Sequence, residues 1–222
     1  MQEVKSRVFY CGKTLGVYRG DFYVIIKVRQ HLSLYLQRRN SMLQTEKQYN
    51  IYIVISQTGT ILSRILKFVT GAKYNHVSIS LANDLNILYS FGRKQAYNPF
   101  WAGFVKESPQ YGTFRRFSNT EAIVVAIPVK EKTYMKMKKF LERMYIERDS
   151  YHYNYLGLVL AAFRVNYKPK NHYYCSDFVR DVLLRFQITE DCQFSSIVQP
   201  IHFLELFDEE VIYTGKLKDY RI

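Results

Sequence analysis

The apolar residues from Ile51 onward recur with two periods, and this alternation constrains the fold more tightly than any other feature of the sequence. Strand-like segments are short continuous apolar runs (Ile51–Ile55, IYIVI) or alternate at every second residue (His76–Leu81, HVSISL). Residues 131–145 and 175–186 instead space their apolar side chains as an amphipathic helix does. Helices and mostly antiparallel strands in mixed order predict an α+β fold, with a central, mostly antiparallel sheet packed against helices.

Turn signals divide the chain into its predicted elements. Ala82-Asn83-Asp84 separates His76–Leu81 from a second strand at Ile87–Phe91, which predicts a β-hairpin. Thr60 can cap a helix that ends at Gly71. Further strands are predicted at 114–117, 122–129 and 211–214, further helices at 131–145, 156–165 and from about 175, and a long ordered loop at 93–113.

The chemical signals begin only after residue 48. Residues 1–48 carry nine basic and three acidic side chains, and they contain Cys11 but no recognisable catalytic pattern. We therefore predict a basic N-terminal extension of unknown role at 1–48, followed by the main domain at 49–222.

Length and composition exclude several classes of protein. The 222 residues are 48% hydrophobic and 23% charged, which excludes a wholly disordered chain. A chain of this length can bury enough apolar surface to fold without disulfides or a structural metal. The longest apolar run, Tyr155–Phe163, is about half the length of a bilayer span, so no transmembrane helix is expected. The polar N-terminus and the odd number of cysteines predict a cytoplasmic protein with reduced thiols.

The formal net charge of +13 favours an anionic partner. Nucleic acid, a membrane surface or an acidic substrate would each satisfy this charge. The 20 tyrosines and 15 phenylalanines are compatible with base stacking, but filling the core of a β-sheet is the more common role of aromatic residues. Nucleic acid is therefore the less favoured partner, and an anionic surface stays open.

Cys175 is the first candidate for catalysis. It follows a polar loop and begins a segment with apolar residues on one helical face, so the thiol is predicted in the first turn of a helix. A helix N-terminus carries a partial positive charge that stabilises a thiolate, the nucleophilic form of cysteine. A buried structural cysteine is the competing interpretation of this residue.

His76 is the candidate base, because it begins a strand from which its ring can face a helix terminus. A structural histidine is the alternative. In the predicted hairpin, position 76 pairs with position 92, and the same face includes Leu88 and Ser90. Ser90 is therefore the predicted group that orients the imidazole, and Asn83 and Asp84 at the hairpin tip are the other candidates.

No metal or cofactor is expected. The residues His172, Cys175, Cys192 and His202 are spaced unlike a compact zinc knuckle. The sequence also contains no glycine-rich loop that would bind a phosphate or a dinucleotide.

These motifs together resemble the circularly permuted NlpC/P60 (papain-like) superfamily, and within it the YiiX-type and lecithin:retinol-acyltransferase-type branches. The resemblance covers roughly residues 50–220. It rests first on a predicted strand followed by a predicted helix that begins at Thr58-Gly59-Thr60. It also rests on four segments: YNHVSISL at 74–81, YSFGR at 89–93, YYCSDFV at 173–179 and QPIHF at 199–203.

The resemblance implies a permuted papain-like fold and thiol chemistry on an amide or ester carbonyl, with Cys175 as nucleophile and His76 as base. Many members place an acid or a second histidine after the base, where this chain has Ser90. The expected function is a cysteine hydrolase or acyltransferase that acts on a peptide, a cell-wall-derived molecule or a lipid acyl group. A catalytically inactive module that binds an anionic polymer or membrane is the alternative. A lipid-directed enzyme is favoured if the aromatic loop 97–104 (YNPFWAGF) lies on a membrane.

Overall fold

The computed structural model describes residues 47–57, 73–95, 98 and 101–221. The predicted helix between Thr60 and Gly71, Cys11 and almost all of the predicted extension at 1–48 lie outside the described residues. The described strands are β1 (Gln48–Gln57), β2 (His76–Ser80), β3 (Leu88–Arg93), β4 (Ala102–Glu107), β5 (Glu121–Lys130), β6 (His152–Tyr153), β7 (His172–Tyr173) and β8 (Val211–Lys216). The described α-helices are α1 (Gly112–Arg116), α2 (Glu131–Ile146), α3 (Tyr155–Ala162), α4 (Cys175–Arg185) and α5 (Pro200–Leu206).

The strands form one sheet in the order β7-β6-β4-β3-β2-β1-β5-β8. The neighbouring strands are antiparallel except for the short pair β6 and β7, which is parallel. The long strands β1 and β5 pair along their whole length, from Gln48 opposite Lys130 to Gln57 opposite Glu121. The predicted α+β class with a mostly antiparallel sheet is confirmed.

Alternation along β1 divides the core between the two faces of the sheet. Ile51, Ile53 and Ile55 belong to the larger apolar cluster, together with buried residues of α2 and α4. Tyr52 and Val54 belong to a smaller cluster on the other face. Because every residue from 51 to 56 is buried, β1 is a central strand with both faces covered, as its continuous apolar run predicts.

The predicted hairpin is confirmed. Strands β2 and β3 pair antiparallel with Ile79 opposite Tyr89, a register that places position 76 opposite position 92. The turn between them holds Leu85 at a φ of 54°, and the Leu85 side chain is fully buried. The hairpin is thus anchored by an apolar side chain at its tip.

Two predictions about the middle of the chain were wrong. Residues 93–113 are not a continuous loop, because β4 occupies Ala102–Glu107 and pairs with β3 over six residues. Residues 114–117 are not a strand, because α1 covers Gly112–Arg116 and only Phe114 of that helix is buried. The glycine and the charged residues of β4 obscure its period of two, and α1 is too short to show a helical period.

The helices have close to their predicted limits. Helix α2 ends one residue beyond the predicted stretch and buries Met137, Leu141 and Met144. Helix α3 begins one residue earlier than predicted and ends at Ala162 rather than at 165. Within the described ranges, no helix is long and apolar enough to cross a membrane.

Candidate active site

His76 begins β2 at the point where the strand leaves its pairing with β1. Its backbone lies opposite Ser56, and its ring is largely buried. The imidazole Nε2 lies 2.8 Å from Oε2 of Glu107, which makes a hydrogen-bonded pair. The ring also lies 6.2 Å from the ring of Phe114 on α1, between the two centroids. An acidic partner and an aromatic neighbour therefore fix the imidazole in place.

Glu107 is the last residue of β4, which is two strands away from His76 in the sheet. The intervening strand has Gly92 at the position opposite His76. A Cβ atom at Gly92 would lie 3.2 Å from Oε1 of Glu107 and 3.5 Å from Cε1 of His76. The absence of a side chain at position 92 thus leaves the space in which the carboxylate and the imidazole meet.

Ser90 lies next to this pair, but its hydroxyl donates to Glu107 rather than accepting from His76. The distance from Ser90 Oγ to Glu107 Oε2 is 2.6 Å. Ser90 is fully buried, so few other groups compete for that hydrogen bond. The serine therefore orients the carboxylate, and the carboxylate orients the ring.

Cys175 is the first residue of α4, and the residue is buried, with 7% of its surface exposed. Two contacts fix the beginning of this helix. Ser176 donates from its buried hydroxyl to the carbonyl of Val198 at 2.7 Å. The buried carboxylate of Asp177 forms an ion pair with Lys168. These two contacts hold the first turn of the helix that carries Cys175.

The electrostatics of the site favour a charged imidazole. Burial alone would lower the pKa of His76, but the negative charge of Glu107 and interactions with Cys175 outweigh it and raise the pKa to about 10. Burial would likewise raise the pKa of Glu107, but His76, Ser90 and the charge of Arg93 together lower it. The arrangement therefore stabilises an imidazolium–carboxylate pair at neutral pH.

Tyr153 on β6 is a further titratable residue whose pKa responds to the charges of this site. Burial and the charges of Cys175, Tyr155, Tyr174 and Glu107 raise its pKa well above the ordinary value. The phenol therefore stays protonated at neutral pH and can donate a hydrogen bond.

The other cysteine and histidines of the described chain lie apart from this arrangement. Cys192 is exposed, and its sulfur lies 3.6 Å from a carboxylate oxygen of Glu190. His202 accepts a hydrogen bond from the backbone N–H of Gln199 through Nδ1 and caps α5. His172 lies beside His152, with ring centroids 5.0 Å apart. No group of three or more potential metal ligands occurs in the described part of the chain.

Sequence reasoning missed both Glu107 and Tyr153. Glu107 falls in the segment interpreted as a loop, and only its pairing with Leu88 brings it towards Ser90 on the adjacent strand. Tyr153 lies in a strand of two residues, which is too short for a periodicity to indicate. The sequence did contain one signal for Glu107, because it is an acidic residue at the end of a segment with weak alternation, AGFVKE.

Comparisons with known proteins add no assignment to this geometry. No family model matches the chain, and neither a curated protein nor a solved structure shows significant similarity to it.

Proposed function

We propose that the protein is a thiol-dependent hydrolase or acyltransferase that acts on an amide or ester carbonyl, with Cys175 as nucleophile and His76 as base. The observation that carries this proposal is the relay of Ser90, Glu107 and His76 beside a cysteine that begins a helix. Glu107 takes the orienting role, and Ser90 supports it. A nucleophile, a base and a group that holds the base are the parts that such chemistry requires.

The first half of the reaction would form an acyl-enzyme. The Cys175 thiolate donates an electron pair to the carbonyl carbon, and the carbonyl π electrons move onto the oxygen. When the tetrahedral intermediate collapses, the bond to the leaving amine or alcohol breaks, and that group takes a proton from the His76 imidazolium. Because Nε2 of His76 is bound to Glu107, Nδ1 is the nitrogen that remains for this transfer.

The second half would release the acyl group. Neutral His76 accepts a proton from the incoming nucleophile, whose oxygen or nitrogen attacks the thioester carbon, and Cys175 leaves as the thiolate. Water as nucleophile gives hydrolysis, and an alcohol or amine gives acyl transfer. The negative charge on the oxygen of the tetrahedral intermediate would be stabilised by the backbone N–H of Cys175 and by the Tyr153 hydroxyl. The N–H of Cys175 is suited to this role because the first N–H groups of a helix have no partner within the helix.

The permuted papain-like fold is part of the same proposal. Three features support it: the histidine at the beginning of β2, the cysteine at the beginning of the later helix α4, and an antiparallel sheet between them. This order of base before nucleophile is the one that the resemblance implies.

The reactivity of the thiols tests the proposal without a known substrate. The full chain is treated with limiting iodoacetamide at pH 6 to 9, and alkylation is located by mass spectrometry of peptides. Cys175 is expected to react faster than the exposed Cys192 at neutral pH, although it is far less accessible. The matched control is His76→Asn, in which the preference for Cys175 should disappear.

A second measurement tests acyl transfer directly. A series of p-nitrophenyl esters is added to the parent and to Cys175→Ser, and the acylated peptide is sought by mass spectrometry after acid quenching. A burst of nitrophenol with acylation at Cys175 supports the proposal. Acylation at Cys192 alone, or equal turnover by the Cys175→Ser variant, would contradict it.

A basic groove on another part of the molecule favours a second candidate function, the binding of an anionic polymer. The groove has a volume of about 530 Å³ between α2 and the end of α4. Its lining includes the cationic residues Lys136, Lys139, Arg143 and Arg185 and the aromatic residues Phe140 and Phe186. The Arg185 guanidinium lies over the Phe140 ring, 4.8 Å from its centroid, in a cation–π contact.

Charge reversal separates this second candidate from the first. Lys136→Glu with Lys139→Glu should abolish retention on heparin at 0.15 M salt if the groove binds polyanions, and the ester burst should not change. Retention equal to that of the parent would exclude the groove as a polyanion site.

A further inference from the structure

Helix α3 presents its most apolar side chains to solvent. Leu156, Val159 and Phe163 are 55%, 58% and 74% exposed, and their spacing places them along one side of the helix. A surface helix of a water-soluble domain normally turns this stripe towards the core. Together with the exposed neighbours Trp101, Tyr155 and Val165, these residues are called the apolar patch below.

The apolar patch is built on a fixed support. The side chain of Asn154 is buried, accepts from the N–H of Gly157 at 2.8 Å and donates to the carbonyl of Tyr167 at 2.7 Å. The backbone N–H of Val165 also donates to Leu160 at 3.0 Å. The helix and the chain that follows it are thus joined at both ends, so the exposed side chains stand on an ordered frame.

Trp101 extends the apolar patch towards the sheet. It precedes Ala102, whose backbone forms a hydrogen bond with Tyr155 at the start of α3. Strand β4, which Ala102 begins, pairs with β6 immediately before α3. An exposed tryptophan beside an apolar helix is typical of proteins that insert side chains into the interface of a bilayer.

The charge around the apolar patch indicates its partner. Residues 150–176 contain Arg164, Lys168 and Lys170 and no acidic residue, and of these cations Lys168 forms an ion pair with Asp177. Arg164 and Lys170 are exposed, and the whole chain carries a net charge of +13. Apolar side chains surrounded by cations match an anionic lipid surface, in which acyl chains lie beneath phosphate groups.

The apolar patch also adjoins the candidate active site. Tyr155 packs on Tyr153 with ring centroids 4.7 Å apart, and the charge of Cys175 is among the causes that raise the pKa of Tyr153. We propose that the apolar patch docks on an anionic phospholipid bilayer, and that Cys175 thereby receives a substrate held at the bilayer surface. The second half of this statement rests on the proposed function, whereas the docking does not.

Tryptophan fluorescence reports on this docking directly, because Trp101 is the single tryptophan of the chain. The full chain is titrated with phosphatidylcholine vesicles that contain or lack phosphatidylglycerol. Docking should move the emission to shorter wavelength and permit quenching by brominated acyl chains. Partitioning into the anionic vesicles should be at least about ten-fold stronger than into neutral ones, and it should weaken as salt is raised.

Matched variants locate the surface. Val159→Ser with Phe163→Ser should weaken partitioning on the order of ten-fold. Ile212→Ser is the control, because Ile212 is 50% exposed on β8, at the opposite edge of the sheet from β6 and β7. Circular dichroism establishes that each variant is folded, and Phe163→Gln is a milder replacement if the double variant is not.

Four results would overturn the docking proposal. The first two are an unchanged emission spectrum with both vesicle types and equal partitioning into anionic and neutral vesicles. The third is a loss of vesicle partitioning in Ile212→Ser as large as in the Val159→Ser, Phe163→Ser variant. The fourth is a spectral shift that depends on protein concentration in the absence of lipid, which would assign the apolar patch to a second copy of the chain. Cys175→Ala should bind vesicles as the parent does. Vesicle binding without any thiol reactivity would therefore refute the proposed function and leave the docking intact.

Discussion

Glu107 reaches His76 across an intervening strand, and Gly92 makes this contact sterically feasible. The two residues belong to β4 and β2, and β3 lies between them in the sheet. Their side chains meet at 2.8 Å over the backbone of Gly92, where a Cβ atom would lie within 3.5 Å of both. A buried carboxylate so placed stabilises the charged form of the imidazole, which the proposed thiol chemistry would use in its first step.

Glu107→Gln should remove most of the charge that keeps His76 protonated. With burial then unopposed by a carboxylate, the pKa of His76 should fall from about 10 towards or below 6.5. The His76 resonance, identified by its loss in His76→Asn, is followed by NMR from pH 5 to 11. An unchanged pKa in Glu107→Gln would contradict the assigned role.

The same variant should change the pH profile of activity. If the imidazolium must protonate the leaving group, the alkaline limb of the kcat/KM profile of the parent should follow the loss of the imidazolium proton. In Glu107→Gln the alkaline fall should begin at lower pH, and kcat/KM at pH 8 should decrease on the order of 100-fold. A uniform decrease at all pH values, with no shift of the profile, would indicate structural damage instead.

Ser90 should have a smaller effect than Glu107, because it acts on His76 only through the carboxylate. Ser90→Ala is expected to lower kcat/KM about ten-fold or less. Ser90→Asp should be worse than Ser90→Ala, since a second carboxylate beside Glu107 would raise the pKa of one of the two. Ser78→Ala is the control, because Ser78 is a fully buried serine on the adjacent strand whose hydroxyl has no hydrogen-bond partner among the described residues. Equal losses in Ser78→Ala and Ser90→Ala would contradict this order.

Gly92→Ala tests the space between the two side chains. The added methyl group would lie 3.2 Å from Glu107 Oε1 and 3.3 Å from Ser90 Oγ, so it should displace the carboxylate. We expect kcat to fall on the order of ten-fold or more while the protein stays folded. Gly103→Ala, opposite on β4, is the matched control, because its closest contact would be the flexible end of Lys94. Similar kinetics for both variants would show that the space at Gly92 is unimportant.

Asn154 should stabilise the segment that carries α3. Asn154→Ala removes a helix cap and a hydrogen bond to Tyr167, and the free energy of unfolding should fall by about 2 kcal/mol. Asn154→Asp keeps the acceptor for the N–H of Gly157 but loses the donor to Tyr167, so its decrease in the free energy of unfolding should be smaller than that of Asn154→Ala. Urea unfolding measures both values, and no loss in Asn154→Ala would mean that α3 is held by other contacts.

The sequence indicated the parts of the site that depend on local pattern. A strand that begins at His76, a helix that begins at Cys175 and a hairpin that pairs position 76 with position 92 all follow from periodicity and turn chemistry. These are the signals that hydrophobic spacing carries over a few neighbouring residues. The hairpin also predicted that Ser90 orients His76 directly, whereas the Ser90 hydroxyl donates to Glu107.

Only the tertiary structure decided how those parts are joined. Glu107 enters the site because β4 pairs with β3 in one particular register, and a shift of one residue would turn its side chain to the other face. Tyr153 arrives on a two-residue strand held by its neighbours in the sheet rather than by its own pattern. The sequence of α3 revealed an apolar helix, but which side chains it exposes depends on what the rest of the chain leaves uncovered. Contacts between residues distant in the chain leave no periodic signal, so local patterns pointed to Cys175 and His76 but not to Glu107, the carboxylate that pairs with His76.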